Sequence, residues 1–199
     1  MTPEQDKFSY SLGMDIGNNI LSAGIETLST EQFVKGITDV LGKKKTDLTK
    51  EEAANIIREY FTKIQAEAGS KKTAEGTKFL AENGKRAGVV TLPSGLQYEI
   101  ITAGTGAKPT VNDQVTTHYT GKLINGTVFD SSVERGQPAT FPVGGVIAGW
   151  TEALQLMPVG SKWKLFIPSN LAYGERGAGG SIGPNETLIF DIELISIGQ

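Results

Sequence analysis

Cysteine is absent from the 199 residues, so disulfides, thiol nucleophiles and thiolate metal ligands are excluded, while neither side of a membrane is ruled out on redox grounds. One histidine, His118, stands alone, which removes the HExxH metalloprotease pattern and any His-rich zinc site, and no metal is expected. Long apolar runs are missing too: none approaches the ~20 residues that a membrane span requires. Met1 is followed by the polar TPEQDK and not by a basic segment with an apolar core, so no secretory signal is expected. A cytoplasmic location is the expectation, or a periplasmic or surface one if a leader has been removed. Charge of one sign is also lacking. Residues before Gly88 hold 13 basic and 13 acidic side chains and those after it 6 and 9, which leaves a net charge of -3 and no footprint for a nucleic-acid partner.

Several chemistries fall away for want of their motifs. Residues 173–184 contain five glycines, yet no GxxxxGK[ST] occurs and no GxGxxG follows a strand, so phosphate cradling is unsupported. Ser131 and Ser132 lie near His118 in a hairpin, but there is no GxSxG elbow, and a mid-strand His118 between Thr117 and Tyr119 reads as structural.

What is present is organised around residues 117–132, THYTGKLINGTVFDSS. Asn125-Gly126 predicts a two-residue type I′ turn, because both residues tolerate the positive φ that this turn demands. The flanking limbs should pair antiparallel. Tyr119 on one limb and Phe129 and Asp130 on the other, ten and eleven positions later, would then reach one pocket.

The first half of the chain has helical spacing. Phe8, Leu12, Ile16 and Ile20 form one stripe, with Gly13 and Gly17 beside it at the spacing of a close helix contact. Ser29-x-x-Gln32 is a capping box ahead of Phe33, Val34, Ile37, Val40 and Leu41, and Thr49-x-x-Glu52 opens a third helix expected to run to about Glu82. Gly69 and Gly76 weaken that helix without ending it. At ~1.5 Å per residue it would be about 50 Å long, longer than a small domain is wide. Two short amphipathic helices and such an arm have little mutual surface, so self-association is the natural remedy, with folding back onto the other half as the alternative.

After Asn83-Gly84 the helical period vanishes and β-branched runs appear between turn signals, which sets the boundary: residues 1–85 a helical dimerisation region with a long linking helix, residues 86–199 a second domain. Short strands are expected at 89–92, 96–101, 114–123, 139–143, 162–167 and 187–197. Residues 146–156 have the only helical spacing in this half. Lys162, Lys164 and Phe166 should face water while Trp163, Leu165 and Ile167 face inward. The fold class is α+β, an antiparallel sheet curled over one helix. The concave space between them would be lined by Tyr119, Phe129, Phe141, Val146, Ile147, Trp150, Tyr173, Ile182 and Phe190, with Asp130 beside it.

HYTG at 118–121, FDSS at 129–132, VIAGW at 146–150, LAYGERG at 171–177 and LIFDIEL at 188–194 together resemble the signature of the FK506-binding-protein (FKBP) peptidyl-prolyl isomerases. SYSLGMDIGNNI at 9–20 and FVKGITDVL at 33–41 are similar to the N-terminal dimerisation region of the Mip-like bacterial subgroup. The resemblance implies the FKBP fold, with Trp150 on the pocket floor. It also implies a site in which Tyr119, Phe129, Asp130 and Tyr173 act on the substrate and Phe141, Val146, Ile147, Trp150, Ile182 and Phe190 hold it. Two positions depart from the common pattern: Ala139 stands where many members have a pocket aromatic, and Ala178 where a loop aromatic or histidine is frequent.

Rotation about an X-Pro bond breaks no covalent bond, so no cofactor is called for. The implied partners are proline-containing unfolded or partly folded proteins, FK506- or rapamycin-type macrolides as inhibitors, and a second copy of the chain. A holdase or peptide-binding module without turnover is the competing reading. Removal of residues 1–85 is expected to spare small-peptide turnover and to weaken catalysis on large unfolded chains.

Overall fold

The computed structural model describes residues 2–198. By internal contacts the chain divides into two compact units, with the boundary between Ala66 and Glu67, inside a helix.

The first unit holds α1 (Pro3–Ser22), α2 (Thr30–Leu41) and the beginning of α3 (Lys50–Asn83). Each start is capped as its sequence requires. Thr2 and Gln5 form a reciprocal capping box, the Ser29 hydroxyl accepts from the Gln32 N–H, and Thr49 exchanges hydrogen bonds with Glu52 at 2.8 and 3.2 Å. What the unit lacks is an interior: neither α1 nor α2 contains a buried residue. Phe8 is 68% exposed and Leu41 79%.

The second unit begins within α3, runs through the helix end and carries all the strands. These are β1 (Val89–Thr91), β2 (Gln97–Thr102), β3 (Gln114–Leu123), β4 (Val128–Ser131), β5 (Ala139–Pro142), β6 (Lys162–Ile167) and β7 (Leu188–Gly198), with α4 (Ala148–Leu154) between β5 and β6. All pairings are antiparallel in the order β1-β2-β6-β7-β3-β4, and β5 also pairs with β3 beside its N-terminal half. Strand β3 runs against β7 from Gln114 opposite Gly198 to Leu123 opposite Leu188. The period-2 alternation decides which side chains go inside: Leu188, Phe190, Ile192 and Leu194 of β7 are all buried against α4 and the inner faces of β3 and β6. With seven residues, α4 is far too short to persist alone. It is held by burial of Trp150, Ala153 and Leu154 in this core, each large side chain contributing about 1.5–3 kcal/mol.

Three local expectations are corrected. The Asn125-Gly126 turn is not type I′: Gly126 has φ +88° but Asn125 is not left-handed. Gly126 N–H donates to the Leu123 carbonyl and Leu123 N–H to the Thr127 carbonyl, both at 2.9 Å, which is a three-residue loop ending in a glycine bulge. The expected helix over 146–156 is shorter, running Ala148–Leu154, because Val146 and Ile147 are extended between a 3₁₀ turn at Val143–Gly145 and the start of α4. Phe166 is not wet. It is 3% exposed because Phe79 near the end of α3 packs on it at 6.0 Å and the Arg86 guanidinium covers its ring at 5.9 Å.

Candidate functional site

A cleft of about 470 Å³ opens between the entry to α4, the inner face of the sheet and the loop after β6. Trp150, 4% exposed, forms its floor, and the rings of Tyr119, Phe141 and Phe190 meet it edge-on at 5.3, 5.8 and 5.2 Å. Phe129 in turn stands edge-on to Phe190 at 5.5 Å. Such perpendicular contacts lock each ring, so the walls are preformed. Among the described residues the Trp150 indole N–H is buried and has no hydrogen-bond partner.

Gly121 explains how two aromatic walls fit over β3. A Cβ there would lie 2.6 Å from the Phe129 ring and 2.7 Å from Phe190, so only glycine lets both rings sit above the strand. Val146 and Ile147 reach the cleft because they are extended before α4 begins, and Gly145 lines it beside them.

One rim is polar. The Tyr119 hydroxyl donates to Asp130 Oδ2, Arg135 Nη1 pairs with Asp130 Oδ1, and Arg135 Nη2 donates to the Tyr119 hydroxyl at 2.9 Å. The guanidinium also lies over the Tyr119 ring at 5.7 Å. Burial pushes the Asp130 carboxyl up, but the Tyr119 hydroxyl and the Arg135 guanidinium outweigh it and hold the group below the usual carboxylate range. Burial and the neighbouring carboxylate push the Tyr119 phenol above its ordinary value. Both groups therefore keep one protonation state around neutrality, which suits a fixed electrostatic surface better than proton transfer.

Ser132 and His118 do not form a nucleophilic pair in this cleft. Ser132 is fully buried, its Oγ accepts the Tyr119 N–H at 2.8 Å, and His118 Nδ1 lies 3.1 Å from the same atom. Their work is to fix the main chain that presents Tyr119.

Of the ten residues singled out from sequence, nine line the cleft: Tyr119, Phe129, Asp130, Phe141, Val146, Ile147, Trp150, Tyr173 and Phe190. Ile182 does not. It is 8% exposed in the core, where it exchanges two main-chain hydrogen bonds with Ala178 at 2.9 and 3.0 Å. Arg135 was not foreseen. Its only signal is a lone arginine five positions after Asp130, at the turn where Glu134 N–H donates to the Ser131 hydroxyl.

Residues 105–195 match the sequence model of the FKBP-type peptidyl-prolyl cis-trans isomerases, and residues 5–100 match the domain found amino-terminal to it. The chain belongs to this family. It is 50% identical to the outer membrane protein MIP of Legionella longbeachae over 99% of this chain and 87% of that one. It is also 50% identical to the FKBP-type 22 kDa peptidyl-prolyl cis-trans isomerase of Escherichia coli, over 95% and 93% of the two chains. Among solved structures, FkpA from Escherichia coli superposes with a TM-score of 0.76 at 34% identity, covering 98% of this chain and 97% of that one. The α+β architecture, a sheet packed on one short helix behind an N-terminal helical region, is the FKBP fold. Among the described residues no helix is long and apolar enough to cross a membrane.

Proposed function

We infer that the protein is a peptidyl-prolyl cis-trans isomerase that turns over X-Pro bonds in the cleft above Trp150. The observation that carries this reading is the cleft itself, a preformed aromatic cup with one fixed polar rim and no nucleophile or acid-base pair within it. A planar X-Pro amide owes its barrier of ~18–20 kcal/mol to resonance, which also separates charge between nitrogen and oxygen. The half-turned amide has lost that resonance and is less dipolar. An apolar cup that strips water from the bond penalises the planar forms more than the twisted one, which is transition-state complementarity without covalent chemistry. A reduction of ~7 kcal/mol corresponds to roughly 10⁵-fold.

The roles then follow from position. The proline ring rests on Trp150 between Phe129, Val146, Ile147 and Phe190, with Phe141 closing one side. The Tyr173 hydroxyl donates to a substrate carbonyl, and the Ile147 N–H anchors the peptide beyond proline. Asp130, held ionised by Tyr119 and Arg135, faces the carbonyl carbon as its resonance is lost. FK506- and rapamycin-type macrolides compete for the same cup. In a coupled assay on an X-Pro tetrapeptide, Phe129→Ala and Asp130→Ala are expected to lower kcat/KM by about ten- to a hundredfold, the loss of ~1.4–2.7 kcal/mol of transition-state binding. FK506 is expected to inhibit the parent. Unchanged rates in folded variants would refute the assignment.

The helical region supports a second role beside the first. α1 and α2 bury nothing of their own, which favours a homodimer formed through them. A dimer carries two cups to one unfolded client and raises effective concentration without a new contact. Client holding is the activity this arrangement adds.

A further inference from the structure

Tyr173 lies in the long connection between β6 and β7, which has two single 3₁₀ turns and five glycines in 173–184 but no regular element of its own. A segment of that composition needs pins if a side chain on it is to hold a fixed place in a cleft. Asn185 supplies one. Its φ is +56°, a left-handed conformation that asparagine tolerates better than other residues with a Cβ. Its main-chain N–H donates to the carbonyl of Gly174, the residue after Tyr173, at 2.8 Å. Its side-chain Nδ2 donates at 3.3 Å to the carbonyl of Gly69 in α3, which also accepts the Thr73 hydroxyl at 2.9 Å.

The helix is cut to receive this segment. Gly69, Lys72 and Gly76 fall on one face at i, i+3 and i+7. A Cβ at Gly69 would stand 3.0 Å from Asn185 Nδ2, and one at Gly76 only 2.2 Å from Thr187 Oγ1. Between them Lys72 Nζ lies 3.3 Å from Oε1 of Glu186. Three consecutive residues, 185–187, thus meet the helix. The two glycines weaken α3 as a helix, but their positions match the approach of this segment side chain for side chain.

Resting on the isomerase reading above, we propose that Asn185 is a positioning residue for the reaction, tying the loop that carries Tyr173 to the second half of α3. The arm is then more than a spacer, because its last turns set where the Tyr173 hydroxyl stands over the substrate.

The test uses the full chain and the X-Pro tetrapeptide assay. Asn185→Gly keeps the left-handed backbone and removes the amide. It is expected to lower kcat/KM about three- to tenfold, the worth of one hydrogen bond, and in a Tyr173→Ala background its effect is expected to shrink below about twofold. Asn185→Asp, which cannot donate to the Gly69 carbonyl, and Gly69→Ala, which crowds Nδ2 from the helix side, are expected to lose activity in the same direction; they decide the matter if the glycine variant does not fold. Wild-type rates in folded variants overturn the proposal and leave the isomerase reading standing. So does an equal loss with and without Tyr173, which would mark Asn185 as a purely structural clamp. An inactive parent overturns both.

Discussion

The two units of this chain use apolar side chains in opposite ways. Residues 67–199 place Leu154, Leu165, Ile167, Leu188 and Leu194 at zero exposure around one helix, whereas residues 2–66 leave Phe8, Leu12, Val34, Val40 and Leu41 open to solvent. α1 and α2 of the first unit start with side-chain caps, which α4 in the second lacks, so the contrast is not one of local helix quality. It shows that correct patterning yields a core only when a second surface is available to receive the stripe. In the second unit the sheet is that surface, and in the first we propose that another copy of the chain provides it.

The largest expected effect separates the units by stability. Leu154→Ala is expected to cost the second unit about 2–5 kcal/mol in thermal or urea unfolding, because the cavity lies in a packed core. Leu41→Ala would cost less than about 0.5 kcal/mol if the first unit were used as a monomer. The dimer proposal expects more than that, together with a melting point that rises with protein concentration and a loss of dimer in Val40→Asp by sedimentation at low micromolar concentration. A parent chain that sediments as a monomer would erase the comparison.

How much of this was legible in sequence depended on how local the cause was. Tyr119, Phe129 and Asp130 could be placed together because one hairpin brings them there, and the alternation in β6 and β7 named their buried faces. The turn type could not be read from Asn125-Gly126, since both loop lengths accept that pair and the strand pairing chooses. Ile182 packs in the core with Trp150 and Phe190, and a glycine-rich loop has no period to say in advance which way its side chain points. Arg135 reads as an ordinary surface arginine until the fold brings Tyr119, sixteen positions earlier, within 2.9 Å of it. Phe166 reads as exposed because a strand's own pattern carries no word of the helix end that covers it. For the same reason Gly69 and Gly76 look like weak points, and only the approach of residues 185–187 gives them a purpose.

A middle-sized effect concerns where the units part. The last turns of α3 cover Phe166, bond Asn83 to Gln97 at 2.8 Å and receive Asn185, so they serve the second unit. A chain beginning at Glu67 is expected to turn over the tetrapeptide within about twofold of the parent while its catalysis of proline-limited refolding of a large unfolded protein falls about tenfold or more, as divalent capture is lost. A chain beginning at Arg86 is expected to fall on both substrates and to melt earlier. This refines the expectation that all of residues 1–85 is dispensable for small peptides. Equal behaviour of the two truncations would return the boundary to residue 85 and make the helix end a passive tail.

The smallest effect lies within the cleft and is read by pH. Asp130 has a lowered pKa, so its carboxylate and the stability it contributes are present above the unfolded value near ~4 and are lost only as pH falls through the lower folded value. Tyr119 is shifted upward, away from neutrality, so the parent's kcat/KM is expected to stay flat from about pH 5 to 9. Arg135→Gln removes one of the groups that oppose burial, and the acid limb is expected to move upward. Arg135→Lys restores the charge but not the two-pronged geometry that reaches both Asp130 and the Tyr119 hydroxyl, so it should recover only part of that shift. If Arg135→Gln lowered kcat/KM equally at every pH, the guanidinium would matter for holding Tyr119 in place and not for keeping Asp130 ionised, and the electrostatic account of the polar rim would have to give way to a purely steric one.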